Sequence, residues 1–341
     1  MSNKNLNKAK KVKDDEFYTL YEDIAEEMEH FKDKFKNKTI FFPCDNPEHS
    51  NFFNFFVNKF EEYNICKMYF LYLGADFAYE VNKTNIKQIK EDTNNFDKYT
   101  EKHRVYNGGG FETEESLKFL KESDIIITNP PFSISQILKD LIIENRKDYI
   151  LLDSLSAAGN NKNLDYILNG DMHVSLSKPL KFLKPDGSYK SAPVNWITSY
   201  ETYDKKKKKR ETKKKAAPRK IATFKEEIIE LQRLEYLELI PDEIKDNYIL
   251  ALPVTFLGYP YEKTFEIIDP KTLTINDGVE YLEEYYTKNN KKTGRTREGF
   301  RFDHPMIKCD DVEDVRSRTY LKDSNGNIYD RPYKRIYAKK K

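Results

Sequence analysis

The sequence predicts an α/β fold, and three observations lead there. Short apolar runs alternate with longer amphipathic stretches, which is the pattern of βαβ units. The runs are continuously apolar, as expected of parallel strands covered on both faces. Polar turn signals rich in Pro, Asn, Asp and Gly separate them. Thr39–Cys44 (TIFFPC) reads as the first strand, ended by Pro43 and the turn Asp45-Asn46-Pro47. Ser50 stands where an N-cap is needed for the helix NFFNFFVNKFEEY. Cys66–Leu73 (CKMYFLYL) reads as a second strand, and the polar residues 74–106 as an excursion. Thr113 caps a helix over Glu114–Lys121, followed by a strand at Asp124–Thr128 (DIIIT), a helix over Ile134–Arg146 and a strand at Tyr149–Leu152. The sum is a parallel sheet with helices on both faces.

Beyond about residue 178 the character changes. Pro185-Asp186-Gly187 and Asn325-Gly326 are hairpin signals between mixed apolar and polar stretches. Residues 205–220 show no periodicity and contain Pro218, so they read as an exposed insert. Phe224–Leu239 has the spacing of an amphipathic helix. The expected organisation is an α/β domain over 1–178 and a mixed, hairpin-rich module over 179–341.

Composition excludes several classes. A chain of 341 residues, 38% apolar and 14% aromatic, has ample material for about two domains and is not globally disordered. No apolar run approaches the roughly 18–20 residues that span a bilayer. The basic start MSNKNLNKAKKVK is followed by no apolar segment of a secretory signal. Cys44, Cys66 and Cys309 form no CxxC pair, which points to a reducing, cytoplasmic setting. His30, His49, His103, His173 and His304 show no zinc spacing, so no metal is expected. Net charge is only +2, but residues 1–13, 205–220, 289–301 and 331–341 together carry +25 and leave −23 on the rest. An acidic body with concentrated basic segments suits a protein that meets a polyanion locally. Lys-rich runs are also common as solvated linkers, and an AT-rich genome by itself enriches Lys, Asn, Ile and Tyr.

The most informative tetrapeptide is Asn129-Pro130-Pro131-Phe132, directly after DIIIT and before a helix. Four specified residues of these types arise by chance in about one chain in a thousand of this length. They also fall at the carboxyl end of a parallel strand, where α/β sheets bind ligands. The lone pair of adenine N6 is delocalised into the ring, so the amino group is a poor nucleophile. Two acceptors aimed at its hydrogens favour a pyramidal nitrogen that can attack a methyl donor. The Asn129 side-chain oxygen and the Pro130 carbonyl can serve as those acceptors. Consecutive prolines stiffen the turn, and Phe132 offers a face for an extruded base. The plain alternative is a strand-to-helix turn, since Asn-Pro is an ordinary turn initiator.

At these residues the chain resembles the adenine-specific DNA methyltransferases, and within them the EcoRI-like group. The resemblance extends to KAKKVKDDEFYTLYEDI (8–24), FFPCDNPEHSNFFNFF (41–56), SDIIITNPPFS (123–133), NWITSYE (195–201) and LPVTFLGYPYEKTFEII (252–268). It implies a Rossmann-like methyltransferase sheet with a C-terminal target-recognition module. The implied reaction is transfer of a methyl group from S-adenosyl-L-methionine to adenine N6 in double-stranded DNA by a monomer that flips the base. A restriction–modification or anti-restriction setting follows from the same resemblance. Asn129, Pro130, Pro131 and Phe132 fall on the catalytic segment. Phe17, Tyr18 and Thr19 fall on the segment that closes over the cofactor, and Cys44 and Asp45 on the loop after the first strand. Asp76, with Glu80 next, is the candidate for the ribose hydroxyls, and Phe111 for stacking on the cofactor adenine. Lys205, Lys206, Lys207, Lys208, Lys209, Arg210, Lys213, Lys214, Lys215, Arg295 and Arg297 are the candidates for phosphate contacts. Trp196 reads as a packing residue. Two departures stand out: Asp45-Asn46-Pro47 replaces a glycine-rich loop, and Gly110-Phe111 replaces the usual acid–Phe pair. Asn-Pro-Pro-aromatic would also suit RNA or protein glutamine as acceptor, and the Gly110 departure would suit an inactive DNA-binding relative.

Overall fold

The computed structural model describes residues 18–341 except 159, 176–177, 184–186, 202–221, 226–227, 232–233, 239, 259–263, 270–271, 273–283, 288–291, 296–306, 315–318, 323–325 and 331–334. By contacts the chain divides into Met1–Leu155 with Gly170–Tyr203, and Ser156–Asn169 with Asp204–Lys341.

The first unit is built on one large sheet. Its elements in order are β1 (Tyr18–Thr19), α1 (Tyr21–Met28), β2 (Thr39–Phe42), α2 (Asn51–Lys59), β3 (Lys67–Phe70), β4 (Phe77–Asn82), α3 (Ile86–Glu91) and β5 (Glu101–Arg104). Then come α4 (Glu114–Glu122), β6 (Ile125–Thr128), α5 (Ser135–Glu144), β7 (Asp148–Ser154), β8 (His173–Val174), β9 (Lys178–Leu183) and β10 (Tyr189–Thr198). The strand order is β1-β9-β10-β7-β6-β2-β3-β4-β5, with β8 on β10. Only the centre is parallel: β3, β2, β6 and β7 run together, with Phe41 opposite Tyr69 and Ile126. Both flanks are antiparallel, so the sheet is mixed where a parallel one was expected. The polar excursion supplies one flank: β4 turns back antiparallel on β3, and after α3 the exposed, charged β5 pairs antiparallel with β4. The other flank changes the expected boundary at 178. Strand β10 pairs with β7 from Val194↔Ser154 to Thr198↔Ile150, which keeps the hairpin of Gly187 (φ 79°) in the first unit.

Local signals explain the helices. The Ser50 hydroxyl accepts from Phe52 N–H and the Thr113 hydroxyl from Ser116 N–H, so α2 and α4 both start on side-chain caps. Helix α2 buries Phe52, Phe53, Phe55, Phe56 and Val57 against the sheet. Each such side chain contributes roughly 1.5–3 kcal/mol by leaving water. Phe42 stacks on Phe70 at 4.3 Å, and Phe52 meets Trp196 edge-on at 6.2 Å, which places Trp196 in the core.

The second unit contains α6 (Leu155–Ala158, at its border) and α7 (Asn161–Leu168), with Asn160 capping α7. Its first sheet has the order β11 (Ala222–Lys225), β12 (Ile228–Glu230), β13 (Ile249–Pro253), β20 (Arg335–Lys340), β14 (Phe265–Ile268), with α8 (Asp242–Asn247) before β13. Its second has the order β16 (Lys292–Arg295), β15 (Glu284–Thr287), β18 (Thr319–Lys322), β19 (Ile328–Asp330), β17 (Ile307–Cys309). The helix expected over Phe224–Leu239 is instead β11, β12 and a short 3-10 turn at Leu234–Glu238. Ile228 and Ile229 are β-branched and buried, and they pair in parallel with Ile249 and Leu250, so strand pairing overrides the helical spacing. Of the Asn325-Gly326 signal, Asn325 lies outside the described residues, and Gly326 (φ 78°) stands between the antiparallel strands β18 and β19, with Lys322 opposite Ile328.

Candidate active site

Loops following the carboxyl ends of the central strands converge in the first unit. After β2, Asp45 is buried, and its N–H donates to the Leu71 carbonyl at 3.0 Å, beyond the end of β3. Its carboxylate accepts from the Ser50 hydroxyl at 2.7 Å and from the Thr128 hydroxyl at 2.6 Å. Burial pushes the Asp45 carboxyl up to about 6, while the two hydroxyl bonds pull the other way. Burial and the neighbouring Asp45 carboxylate also raise the Cys44 thiol, so Cys44 is not an activated nucleophile. The Asn46 side chain accepts from Glu48 N–H at 3.0 Å, and its carbonyl accepts from the N–H groups of His49 and Ser50. This compact turn stands where a glycine-rich loop would.

The Tyr18-Thr19 segment lies against the same turn. Asn51 at the start of α2 donates to the Thr19 carbonyl at 2.8 Å, and the Tyr18 ring is 5.9 Å from that of His49. Thr19 is buried, and its hydroxyl has no hydrogen-bond partner among the described residues. Phe17 lies outside the described residues.

The loop after β3 meets the glycine segment. Gly74 N–H donates to the Gly108 carbonyl at 2.7 Å. Gly109 has φ 61°, and a Cβ there would stand 2.6 Å from the Tyr72 carbonyl oxygen, so only glycine fits. Gly110 differs: a Cβ would meet Leu73 and Thr113 only at 3.9 Å, so sterics do not account for the missing acid. Phe111 is buried, and Glu112 beside it is exposed. Asp76 is exposed just before β4. Glu80 is committed elsewhere, to Lys67 at 3.1 Å, His103 at 2.9 Å and Asn82 at 2.9 Å, which hold it below the usual carboxylate range. Glu80, Glu101 and His103 group their ligand atoms within 4.8 Å, but Lys67 and Asn82 already occupy those carboxylates.

After β6 comes the turn Asn129–Phe132. Asn129 is half-buried, Pro130 buried, and Phe132 packs against the core. Ile134 N–H closes the turn on the Pro131 carbonyl at 3.0 Å. Behind it, Lys139 of α5 and Asp153 of β7 form a fully buried ion pair at 2.5 Å. The structure therefore gathers Tyr18, Thr19, Asp45 and Asn129 around one edge, with Asp76 and Phe111 on the adjoining loops. Sequence reading passed over Thr128, Ser50 as a partner of Asp45, Lys139 and Asp153. The available signals were polar residues closing apolar strands (DIIIT, YILLDS) and a lysine on the apolar face of SQILKDLIIE. Lys205–Arg210, Lys213, Lys214, Lys215 and Arg297 lie outside the described residues, and Arg295 is described only as part of β16.

The chain is similar to type II methyltransferases over most of its length. The type II methyltransferase M.MgeORF184P of Mycoplasma genitalium is 28% identical over 291 residues, covering 77% of this chain and 85% of the relative. The type II methyltransferase M.EcoRI of Escherichia coli is 27% identical over 327 residues, covering 82% and 95%. The type II methyltransferase M.MpnI of Mycoplasma pneumoniae is 29% identical over 217 residues, covering 57% and 64%. The family described as Adenine-specific methyltransferase EcoRI matches residues 5–310, and the chain belongs to it.

Proposed function

We propose that the protein transfers a methyl group from S-adenosyl-L-methionine to N6 of a specific adenine in duplex DNA, with the base turned out of the stack. The observation that carries this reading is the Asn129–Phe132 turn at the carboxyl end of β6, joined through Thr128 to the Asp45 loop. Type II relatives support a restriction–modification setting. The residues present fit the cofactor. Thr19 offers a buried hydroxyl with no partner among the described residues, and Gly109 keeps the floor between the Tyr72 and Gly108 segments free of side chain. Tyr18, Thr19, Cys44 and Asp45 would hold the methionine side, exposed Asp76 the ribose hydroxyls, and Phe111 the adenine. When bound, S-adenosyl-L-methionine supplies an electrophilic methyl on a sulfonium sulfur, which leaves as a neutral sulfide.

The chain's own residues do the rest. The Asn129 oxygen and Pro130 carbonyl accept the two N6 hydrogens and free the nitrogen lone pair for attack. The prolines hold both acceptors in place before the base arrives, so little reorganisation accompanies the reaction. Phe132 stacks on the flipped base, and positive charge on N6 is lost as a proton to solvent. Basic side chains hold phosphates, while hairpin residues read base edges in the major groove.

Methyl-labelled cofactor offered with duplex DNA, RNA and protein should label duplex DNA alone, and digestion should return the label as N6-methyladenine. Label in RNA or in glutamine would overturn the reading. Asn129→Ala should slow transfer by at least ~10²-fold with DNA binding nearly unchanged, because it removes an acceptor used in the transition state. Equal losses of binding and turnover would make Asn129 structural.

A further inference from the structure

We infer that Thr128 is a positioning residue for methyl transfer, its hydroxyl fixing the Asn129 turn against the cofactor loop through Asp45. The inference rests on the reading of Asn129 as an acceptor. The last ladder pair between β2 and β6 is Phe41↔Ile126, so beyond it these two strands are no longer paired with each other, while β6 stays paired with β7 to Thr128↔Leu151. The Thr128 hydroxyl spans that gap to Asp45 at 2.6 Å, and Thr128 is fully buried. A buried hydroxyl donating to a carboxylate is among the stronger and more directional hydrogen bonds.

Asp45 is itself anchored from two other sides. Its second oxygen accepts from Ser50, the cap of α2, and its N–H donates to Leu71 after β3. The position of Thr128 is thereby referred to three separate elements. On its other side Thr128 is one peptide from Asn129, whose own backbone is restricted by Pro130. Filling volume does not account for a threonine here, because valine has the same shape without a hydroxyl to satisfy.

The groups facing the Asp45 carboxylate are the Ser50 and Thr128 hydroxyls and the Cys44 thiol, and burial pushes Asp45 up to about 6. Below that pH the Thr128 bond loses its charge assistance, so Thr128 should matter less. The test is single-turnover methylation of duplex DNA from pH 5 to 8.5 in wild type, Thr128→Val and Thr128→Ser, with cofactor and DNA affinities and melting temperatures measured on the same samples. At pH 8, Thr128→Val should be about 10–100-fold slow with affinities within about threefold, the size of effect expected for a lost transition-state arrangement. The gap should narrow below pH 6, and Thr128→Ser should return to within about threefold of wild type. Thr128→Val at the wild-type rate, a parallel pH profile, or equal slowing in both variants tracking melting temperature would each overturn the inference. If wild type labels no DNA, the functional reading fails first. An active wild type with an indifferent Thr128→Val sinks only the role of Thr128.

Discussion

Asp45 shows how one residue carries opposed demands. In the folded chain its carboxyl is pushed up to about 6, against an ordinary value of about 3.9. The unfolded chain gives up this proton near pH 4, while the folded chain keeps it to about pH 6. Between those values the folded state binds more protons, so this group lowers stability as pH rises from 4 to 6 and leaves a fixed penalty above. Two pKa units correspond to about 3 kcal/mol. An asparagine in its place carries no ionisable proton and no such penalty. Asp45→Asn should therefore gain stability relative to wild type on going from pH 4.5 to 7.5, by urea unfolding. Stability curves that stay parallel with pH would remove the claim. The Asn129–Phe132 turn stood out in the sequence because its residue types are chemically distinctive, and Asp45 because the family resemblance falls on its loop. Thr128 was not, because the bond that gives it meaning spans 83 positions and looks like a strand ending until the fold closes it. Gly109 is similar: its requirement is the Tyr72 carbonyl, which sequence spacing does not reveal.

Elements were legible where the local signal and the tertiary partner agreed. Ser50 and Thr113 cap the expected helices, and β2, β6 and β7 fall within a few residues of the apolar runs that mark them. The Phe224–Leu239 reading failed because pairing with β13 decides the state of Ile228–Glu230, and that partner lies some twenty residues further on. Helix α5 exposes a different limit. Its apolar face includes Lys139, which a periodicity argument treats as an interruption, yet Lys139 is buried against Asp153 at 2.5 Å. Removing one member of a buried pair strands the other charge, at about 3–5 kcal/mol, whereas replacing both with apolar residues is often neutral. Lys139→Met should therefore lower the unfolding free energy by about 3–5 kcal/mol, and Lys139→Met with Asp153→Leu should recover most of it. If the double variant is no more stable than the single, the pair contributes more than charge neutralisation to seating α5 behind the Asn129 turn.

Across the whole molecule, charge is sorted along the chain: +25 sits in four segments and −23 in the remainder. The segment 205–220, with eleven basic residues against Glu211, tests what that sorting does. KKKKKRETKKKAAPRK has no apolar face with which to join a core, so its deletion should leave the fold standing. All eleven cannot meet phosphates at once, but each contact formed adds about 0.9 to the salt slope of binding. With three or four contacts, deletion should flatten the slope of log affinity against log salt by about three. Preference among DNA sequences should persist, because phosphate contacts position the protein without reading bases. Affinity measured from about 50 to 300 mM salt, on a cognate and a scrambled duplex, separates the two components. Coincident slopes for the full chain and the deletion would make this segment a solvated insertion and shift the polyanion contact to the other basic segments. A loss of sequence preference would instead place part of the recognition chemistry within it.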